Sequence, residues 1–265
     1  MADAKIVLIT GANTGIGYQV VRTLRSADQP YHVFVGARSL QKAQDAISAV
    51  QTEFPSSSNN LTPIVVDIES DESIQKAYHK VEAQFGKLDA LINNAGAQFD
   101  QAAAHNELTL REAYNKSWDV NVTGTHIMTY TFVPLLLNSS SPRIIFVTSG
   151  ASTLKGTESR TIPADRVPLA GWPKTTPNVT GYRSAKTGLN MLMREWDRML
   201  TNDGVKVFAI SPGLLATNLG GSPEAMKKMG AGDPAVAGPL FRDVLEGKRD
   251  EQAGFVVNRD GIQPW

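Results

Sequence analysis

Residues Thr10-Gly11-Ala12-Asn13-Thr14-Gly15-Ile16-Gly17 stand between an apolar run, Lys5–Thr10, and a segment with helical periodicity that begins at Ile16. Glycines at such a junction permit a tight turn, let the backbone approach a ligand, and allow the helix to lie close to the strand. The N-terminus of the helix then directs amide hydrogens and a partial positive charge at an anionic group such as a pyrophosphate. The stretch therefore predicts the first strand–turn–helix unit of a dinucleotide-binding sheet, with an ordinary glycine-rich turn as the alternative.

Short β-rich runs alternate with longer amphipathic segments along the rest of the chain. Most of these runs are compact clusters of Val, Ile, Leu and Phe, which suit parallel strands covered by helices on both faces. Helical patterns lie between them at Ile16–Ser26, Ser39–Phe54 and Ser73–Phe85. Repeated units of this kind predict a doubly wound parallel sheet with right-handed crossovers. The predicted strands are Lys5–Thr10, His32–Ala37, Leu61–Val66, Ala90–Asn93, Arg143–Thr148, Val205–Ile210 and Gly254–Val257.

The overall composition is that of an ordinary globular protein. Of 265 residues, 42% are hydrophobic and 20% are charged, and 26 Lys and Arg balance 26 Asp and Glu. There is no basic excess to indicate nucleic acid and no charged tail to indicate a membrane surface, and no apolar run approaches the ~18 residues that cross a bilayer. Cysteine is absent, which excludes disulfides and thiolate chemistry. We expect one cytoplasmic domain over residues 1–265, with no nucleic-acid or membrane partner.

Two stretches interrupt the alternation of strands and helices. Residues 150–180 are rich in Gly, Pro, Ser and Thr and are too long for a tight turn. Residues 213–232 contain two adjacent glycines and two methionines, which predicts a loop that carries a short helix. Both stretches follow a predicted strand, and doubly wound sheets bind ligands at the carboxyl ends of their strands. We therefore expect both segments to lie over a substrate site at one edge of the sheet.

A tyrosine and a lysine stand four residues apart in Tyr182-Arg183-Ser184-Ala185-Lys186, within a predicted helix, Gly181–Leu200. Residues i and i+4 share one face of a helix, so the phenol and the ammonium can serve one site. An ammonium ~4 Å away at an effective dielectric of ~20 contributes ~4 kcal/mol, which would lower the phenol pKa, although desolvation opposes this. Tyr182 is then suited to donate a proton to a carbonyl oxygen while a hydride reaches the carbon.

The end of the second strand bears on the choice between NAD and NADP. An acidic residue there would hydrogen-bond the adenosine ribose and favour NAD, but Ala37 stands at that place and Arg38 follows it. A guanidinium binds a 2′-phosphate through charge-assisted hydrogen bonds of ~1.5–3 kcal/mol, equivalent to a preference for NADPH of about 10- to 150-fold. The alternative is a solvated arginine at the start of a helix.

The glycine spacing TGxxxGxG and the Tyr182–Lys186 pair resemble the short-chain dehydrogenase/reductase family, and matches continue in family order over residues 5–217. The resemblance implies a Rossmann-type sheet of seven parallel strands in the order 3-2-1-4-5-6-7. It also implies an oxidoreductase that uses NADP(H) to reduce a small-molecule carbonyl. The long segment between Ser149 and Tyr182 is similar to that of carbonyl reductases, some of which are monomeric. A homo-oligomer therefore stays open as an alternative.

The resemblance also assigns roles to particular residues. Ser149 is implied to hydrogen-bond and polarise the substrate oxygen, and Asn121 to hold a water that links Lys186 to solvent. Together with Tyr182, these residues form the implied catalytic set. The implied cofactor-binding residues are Gly11, Asn13, Thr14, Gly15, Ile16, Gly17, Arg38, Asp67, Ile68, Asn94, Ala95, Gly96, Tyr182, Lys186, Pro212, Gly213, Leu215 and Thr217.

Other functions have less support in the sequence. The four histidines lack the spacing of metal ligands, and there is no GxSxG sequence of a hydrolase. Two alternatives stay open: an enzyme of the same fold that reduces an imine or couples cofactor binding to cyclisation or isomerisation, and a non-catalytic regulator that senses NADP. Retention of both Tyr182 and Lys186 favours carbonyl chemistry on a largely apolar molecule. Five residues are considered as an apolar pocket, with ordinary packing the favoured alternative for each: Phe99, Leu154, Trp172, Met226 and Met229.

Overall fold

One β-sheet runs through the protein, whose computed structural model describes residues 4–160, 165–174 and 179–265. Within these ranges the strands are β1 (Lys5–Ile9), β2 (Tyr31–Ala37), β3 (Asn60–Val65), β4 (Ala90–Asn93), β5 (Arg143–Val147), β6 (Lys206–Ile210), β7 (Val256–Asn258) and β8 (Gly261–Ile262). Their order across the sheet is β3-β2-β1-β4-β5-β6-β7-β8. Every neighbouring pair is parallel except β7 and β8, which are antiparallel.

Helices connect successive strands and cover both faces of the sheet. They are α1 (Gly15–Arg25), α2 (Leu40–Glu53), α3 (Asp71–Phe85), α4 (Asp100–Ala104), α5 (Leu110–Trp118), α6 (Thr125–Leu136), α7 (Leu154–Ser159), α8 (Thr180–Leu200), α9 (Pro223–Lys228) and α10 (Gly238–Leu245). A π-helical segment, Asp119–Gly124, joins α5 to α6.

The predicted sheet is confirmed in its parallel strands and in their order, and it gains one short strand. The eighth strand is two residues long, and it pairs with β7 after the chain turns back at Arg259 and Asp260. A segment this short carries no hydrophobic periodicity, which is why the sequence pattern did not indicate it.

Two apolar layers explain why the strands are apolar runs rather than alternating ones. Leu8 and Phe34 lie in one layer, while the neighbouring Val7 and Val33 lie in the other. Helices α3, α6 and α8 contribute to the first layer, and α1 and α10 contribute to the second. Since side chains alternate along a strand, both faces of each central strand must be apolar to be covered in this way.

The π-helical segment lies directly against the loop that follows β3. A Cβ placed on Gly124 would overlap the carbonyl oxygen of Ile68, so the two backbones meet at a distance that only glycine permits. This contact holds the segment that carries Asn121 against the sheet.

In the part of the chain that the structure describes, no helix combines the length and the apolar character needed to cross a membrane. Residues 161–164 and 175–178, which belong to the predicted 150–180 segment, lie outside the described residues.

The contact at Gly124 leads to a prediction about stability. Gly124→Ala should lower the free energy of unfolding by about 2 kcal/mol, since overpacking against a backbone atom typically costs ~1–3 kcal/mol. Gly232→Ala is the matched control, because a Cβ there would make only ordinary contacts, the nearest at 3.7 Å from Leu215 Cδ2. Urea denaturation of both variants measures the difference. Equal stabilities would show that the backbone at Gly124 adjusts freely.

Candidate active site

The carboxyl ends of the central strands bring the predicted site residues to one edge of the sheet. The glycine turn follows β1, the Asn93–Gly96 segment closes β4, and Ser149 stands just beyond β5. Tyr182 and Lys186 lie in the first two turns of α8. The topology therefore gathers residues that are far apart in sequence.

The glycine turn adopts a conformation that requires its glycines. Gly11 and Gly15 have φ angles of +61° and +58°, in the left-handed region that side chains disfavour. A Cβ on Gly17 would lie 2.5 Å from Asn94 Nδ2 and 2.7 Å from the Gly11 carbonyl oxygen. No side chain caps α1 at Thr14, so the amide hydrogens of its first turn are free to bind an anionic group.

Asn94 ties the end of β4 to the glycine turn. Its Nδ2 donates to the carbonyl oxygens of Thr10, at 2.8 Å, and Gly11, at 3.0 Å. In return, the Thr10 hydroxyl oxygen accepts from the backbone amides of Asn94 and Ala95, at 3.0 and 2.9 Å. The amide nitrogen of the Asn94 side chain is thus committed to shaping the turn.

Lys186 carries its ammonium into the protein interior. The residue is 4% exposed, and its Nζ donates to the Val147 carbonyl oxygen at 2.8 Å. Burial lowers the pKa of Lys186 from 10.5 to about 8. A Cβ on Gly96 would lie 3.2 Å from this Nζ and 2.9 Å from Asn121 Oδ1, so a glycine at position 96 leaves room for both polar groups.

Tyr182 is half-buried and lies next to Lys186 and Ser149. The Lys186 Nζ is 5.8 Å from the centre of its ring. Burial raises the pKa of the phenol to about 12, and a hydrogen bond with Ser149 acts in the opposite direction. The net shift is therefore upward, opposite to the lowering expected from a neighbouring ammonium, because desolvation outweighs the hydrogen bond with Ser149. The phenol therefore stays protonated near neutral pH and has a proton that it could donate.

Asn121 and Ser149 are also brought to this edge. Asn121 is fully buried, and its Nδ2 donates to the carbonyl oxygens of Ala97 and Ser117, both at 2.8 Å. It lies in the π-helical segment, a geometry that is frequent at functional sites. The Ser149 hydroxyl oxygen accepts from the Ala151 amide at 3.1 Å. Its hydroxyl hydrogen is available to Tyr182 or to a substrate oxygen.

Behind Ser149 lies a buried polar network. The Ser152 hydroxyl donates to the Ser149 carbonyl oxygen at 2.5 Å and accepts from Asn190 Nδ2 at 3.0 Å. Thr148 donates to Asn190 Oδ1 at 2.6 Å. The Ser152 hydroxyl is thus used in hydrogen bonds within the protein, which agrees with the prediction that Ser149 rather than Ser152 contacts the substrate.

Arg38 and Asp67 lie beyond the ends of β2 and β3. The Arg38 side chain is exposed and makes no hydrogen bond or ion pair within the described ranges. Asp67 is half-buried and accepts the Glu69 amide at 3.1 Å, while Ile68 beside it is buried. A free guanidinium at this place fits a phosphate.

The segment after β6 returns to the glycine turn. Thr217 Cβ would lie 3.6 Å from a Cβ on Gly15, and Leu215 beside it is buried. Pro212 is buried, and Gly213 is exposed with a φ of +97°. The residues predicted to approach the nicotinamide are therefore close to the turn predicted to bind the pyrophosphate.

Two tethers connect the irregular segments to the site. Gln101 Nε2 donates to the Gly220 carbonyl oxygen at 3.0 Å, which joins α4 to the 213–232 segment. Arg183, next to Tyr182, donates to the Ala151 carbonyl oxygen at 3.0 Å and to Asp165 at 2.6 Å. The described part of the 150–180 segment is thus held against the start of α8.

The five residues considered as an apolar pocket are not all packed together. Phe99 lies partly buried against the core, and Met226 is buried with its sulfur next to Gly220. Leu154, Trp172 and Met229 remain largely exposed. The structure therefore gathers no closed pocket from the whole set.

The sequence did not indicate two residues that support the site. Asp100 accepts hydrogen bonds from the first turn of α8, and Gln263 Nε2 donates to the Ser149 carbonyl oxygen at 3.3 Å. Gln263 follows β8, which has no sequence pattern, so its place was not predictable. A signal for Asp100 did exist: Val179, just before α8, has a side chain that cannot accept a hydrogen bond from the Gly181 or Tyr182 amide.

Comparison with known proteins gives concordant matches. A family described as short chain dehydrogenase matches residues 5–161. The short-chain dehydrogenase/reductase eupG of a Phoma species is 46% identical over 270 residues, covering 98% of this chain and 97% of the relative. The short-chain dehydrogenase/reductase tropE of Talaromyces stipitatus is 44% identical over 270 residues, covering 100% of this chain and 99% of the relative.

A solved structure shows the same fold at lower identity. The NADPH-bound carbonyl reductase from chicken fatty liver superposes with a TM-score of 0.79 at 24% identity, with 99% of each chain covered. The similarity extends from the first strand to the end of the sheet.

Burial of Lys186 leads to a prediction about stability and pH. Lys186→Met should raise the free energy of unfolding at pH 7 by roughly 2 kcal/mol, the cost of the lowered pKa less one hydrogen bond. The unfolded chain binds this proton up to about pH 10.5, and the folded chain releases it near 8. The wild-type protein therefore recovers stability between these values, and the advantage of the variant should vanish near pH 10.

Urea denaturation at pH 7 and pH 10 measures the effect. The control is Lys42→Met, because Lys42 is exposed and should change stability by less than ~0.5 kcal/mol. A Lys186→Met variant that is less stable than the wild type at pH 7, or whose effect is independent of pH, contradicts the buried-ammonium account.

Proposed function

Because the chain belongs to the short-chain dehydrogenase/reductase family, we propose that it is an NADP(H)-dependent oxidoreductase that reduces a carbonyl of a largely apolar small molecule. Tyr182 is the general acid in this proposal. The observation that carries it is the placement of a protonated phenol beside the Lys186 ammonium and the Ser149 hydroxyl, at the carboxyl edge of the sheet.

The residues around the glycine turn fit a dinucleotide phosphate. The uncapped N-terminus of α1 offers amide hydrogens to the pyrophosphate, and the Arg38 guanidinium suits a 2′-phosphate. The chicken carbonyl reductase of the same fold binds NADPH, which supports the same choice here. When bound, NADPH supplies the hydride for the carbonyl carbon.

The chain itself supplies the proton and the polarisation. The Ser149 hydroxyl donates to the carbonyl oxygen, and the Tyr182 phenol gives up its proton as an O–H bond forms on the product alcohol. The phenolate that remains is stabilised by the Lys186 ammonium, 5.8 Å from the ring centre. Solvent then returns a proton to the phenolate, which restores the acid for the next turnover.

The raised phenol pKa bears on the direction of the reaction. Oxidation of an alcohol needs Tyr182 as a phenolate base, and burial makes that form scarce near neutral pH. Reduction needs the phenol, which is the prevailing form. The prevailing form of Tyr182 is therefore the one that reduction consumes, while the balance between the two directions is set by the substrate and cofactor concentrations.

The proposal also concerns the two irregular segments, residues 150–180 and 213–232, and their place relative to the substrate. We propose that residues 1–265 act as one domain, in which the 150–180 and 213–232 segments lie over the substrate. The tethers from Arg183 and Gln101 support this arrangement for the described parts.

The first test replaces the proposed acid. Tyr182→Phe should lower kcat for carbonyl reduction by about 10²–10⁴-fold, the usual contribution of a positioned acid, while NADPH still binds. Loss of reduced-nicotinamide absorbance is followed with a panel of ketones, aldehydes and cyclic imines. Tyr130→Phe is the control, because Tyr130 is exposed on α6 and should keep wild-type activity.

Three outcomes count against the proposal. Turnover of imines alone would assign the enzyme to imine reduction. NADPH binding without turnover of any compound would favour a regulator or a cyclising enzyme. Full activity in Tyr182→Phe would place the proton donor elsewhere.

The second test concerns the cofactor. Arg38→Ala should raise the KM for NADPH by about 10- to 100-fold and leave the KM for NADH nearly unchanged, because only NADPH carries the phosphate that the guanidinium contacts. Arg111→Ala serves as control, since Arg111 is exposed on α5. Equal effects on both cofactors, or none on either, would remove Arg38 from the phosphate site.

A further inference from the structure

Within the described residues, the N-cap position of the helix that carries Tyr182 and Lys186 supplies no side-chain hydrogen bond. The residue at this position is Val179, whose side chain cannot accept a hydrogen bond. The first amides of a helix have no partner within the helix, and burying them without one is costly. The helix begins at Thr180, so the amide of Tyr182 is one of them.

A carboxylate from a distant part of the chain takes the place of the cap. Asp100, at the start of α4, is 9% exposed. Its Oδ1 accepts from the Gly181 amide at 2.7 Å, and its Oδ2 accepts from the Tyr182 amide at 3.0 Å. Both oxygens are thus used on successive residues, and one of these residues carries the phenol.

Gly181 makes this approach possible. A Cβ at position 181 would lie 3.2 Å from Asp100 Oδ1 and 3.4 Å from Ser117 Oγ, which is tighter than ordinary contact. The absence of a side chain therefore lets α4 reach the first turn of α8. A negative charge at this end of α8 also complements the positive end of the helix dipole.

We propose that Asp100 is a positioning residue for the reduction, which fixes the backbone of Tyr182 and thereby the place of its phenol. The proposal rests on the proposed function. Two hydrogen bonds from one carboxylate restrain both the position and the rotation of the first turn, whereas a single bond leaves rotation free. Proton transfer depends on such placement, and a shift of about 1 Å is enough to lower a rate about 10²-fold.

The rest of the site is held by other contacts. Lys186 is anchored one turn further along α8 by the Val147 carbonyl oxygen. The glycine turn is shaped by Asn94, which donates to the carbonyl oxygens of Thr10 and Gly11 and makes no bond to Asp100. Loss of the Asp100 bonds should therefore displace Tyr182 while Lys186 and the glycine turn, which carry most of the proposed NADPH contacts, keep their places.

The test compares Asp100→Asn and Asp100→Ala with the wild-type protein. Asparagine keeps one acceptor oxygen and alanine keeps none, so kcat should fall about 10-fold in the first variant and about 100-fold in the second. The Kd for NADPH, measured by fluorescence titration, should stay within about twofold. Amide hydrogen exchange at Gly181 and Tyr182 should accelerate by roughly tenfold, the equivalent of one hydrogen bond.

Asp89→Asn is the matched control. Asp89 is also 9% exposed and accepts a backbone amide, from Ile6 at 2.8 Å, but it lies at the amino end of β4. The two asparagine variants should lose comparable stability, and only Asp100→Asn should lose kcat.

The outcomes separate this role from the function on which it rests. An active wild-type protein with unchanged kcat in Asp100→Asn overturns the role of Asp100 alone. Equal kcat losses in Asp100→Asn and Asp89→Asn overturn it too, because they indicate general destabilisation. A wild-type protein that turns over no carbonyl overturns the proposed function, and this role with it.

Discussion

The buried ammonium of Lys186 is the group around which the active edge is arranged. Removing a cation from water is costly, and the hydrogen bond to the Val147 carbonyl oxygen offsets only part of the cost. That bond holds α8 against the carboxyl end of β5, and Gly96 leaves room for the ammonium beside Asn121 Oδ1. The remaining cost is visible in the pKa of Lys186, which burial lowers to about 8.

Burial also determines the protonation state of Tyr182. A phenol in this position resists ionisation, so it holds its proton at neutral pH and releases it only to a stronger base, such as the developing alkoxide of a substrate. The Lys186 charge then stabilises the phenolate at the moment it forms. Burial moves the two pKa values apart, to about 12 for the phenol and about 8 for the ammonium, so that both groups hold their protons near neutral pH and can act as one proton-donating unit.

The fold was predictable because its signals are local. Compact apolar runs define the seven parallel strands, and the glycines of residues 10–17 define the first turn. Strand β8 was not predicted because two residues are too few to show hydrophobic periodicity. The contact of Asp100 with α8 was not predicted because its hydrogen-bond partners lie 81 and 82 residues further along the chain. The direction of the Tyr182 pKa was wrong because spacing places the lysine beside the phenol but says nothing about how much water remains.

The pH dependence of kcat/KM for a carbonyl substrate tests the account most directly, because at saturating NADPH this parameter reports ionisations of the enzyme–NADPH complex that carries out proton transfer. The account predicts a constant value below about pH 8 and a tenfold fall per pH unit above it, as Lys186 loses its proton. Tyr182 should add no second step below about pH 11, since its pKa is about 12. A value that stays constant to pH 10 would contradict the account, since the Lys186 ammonium would then have no part in the reaction.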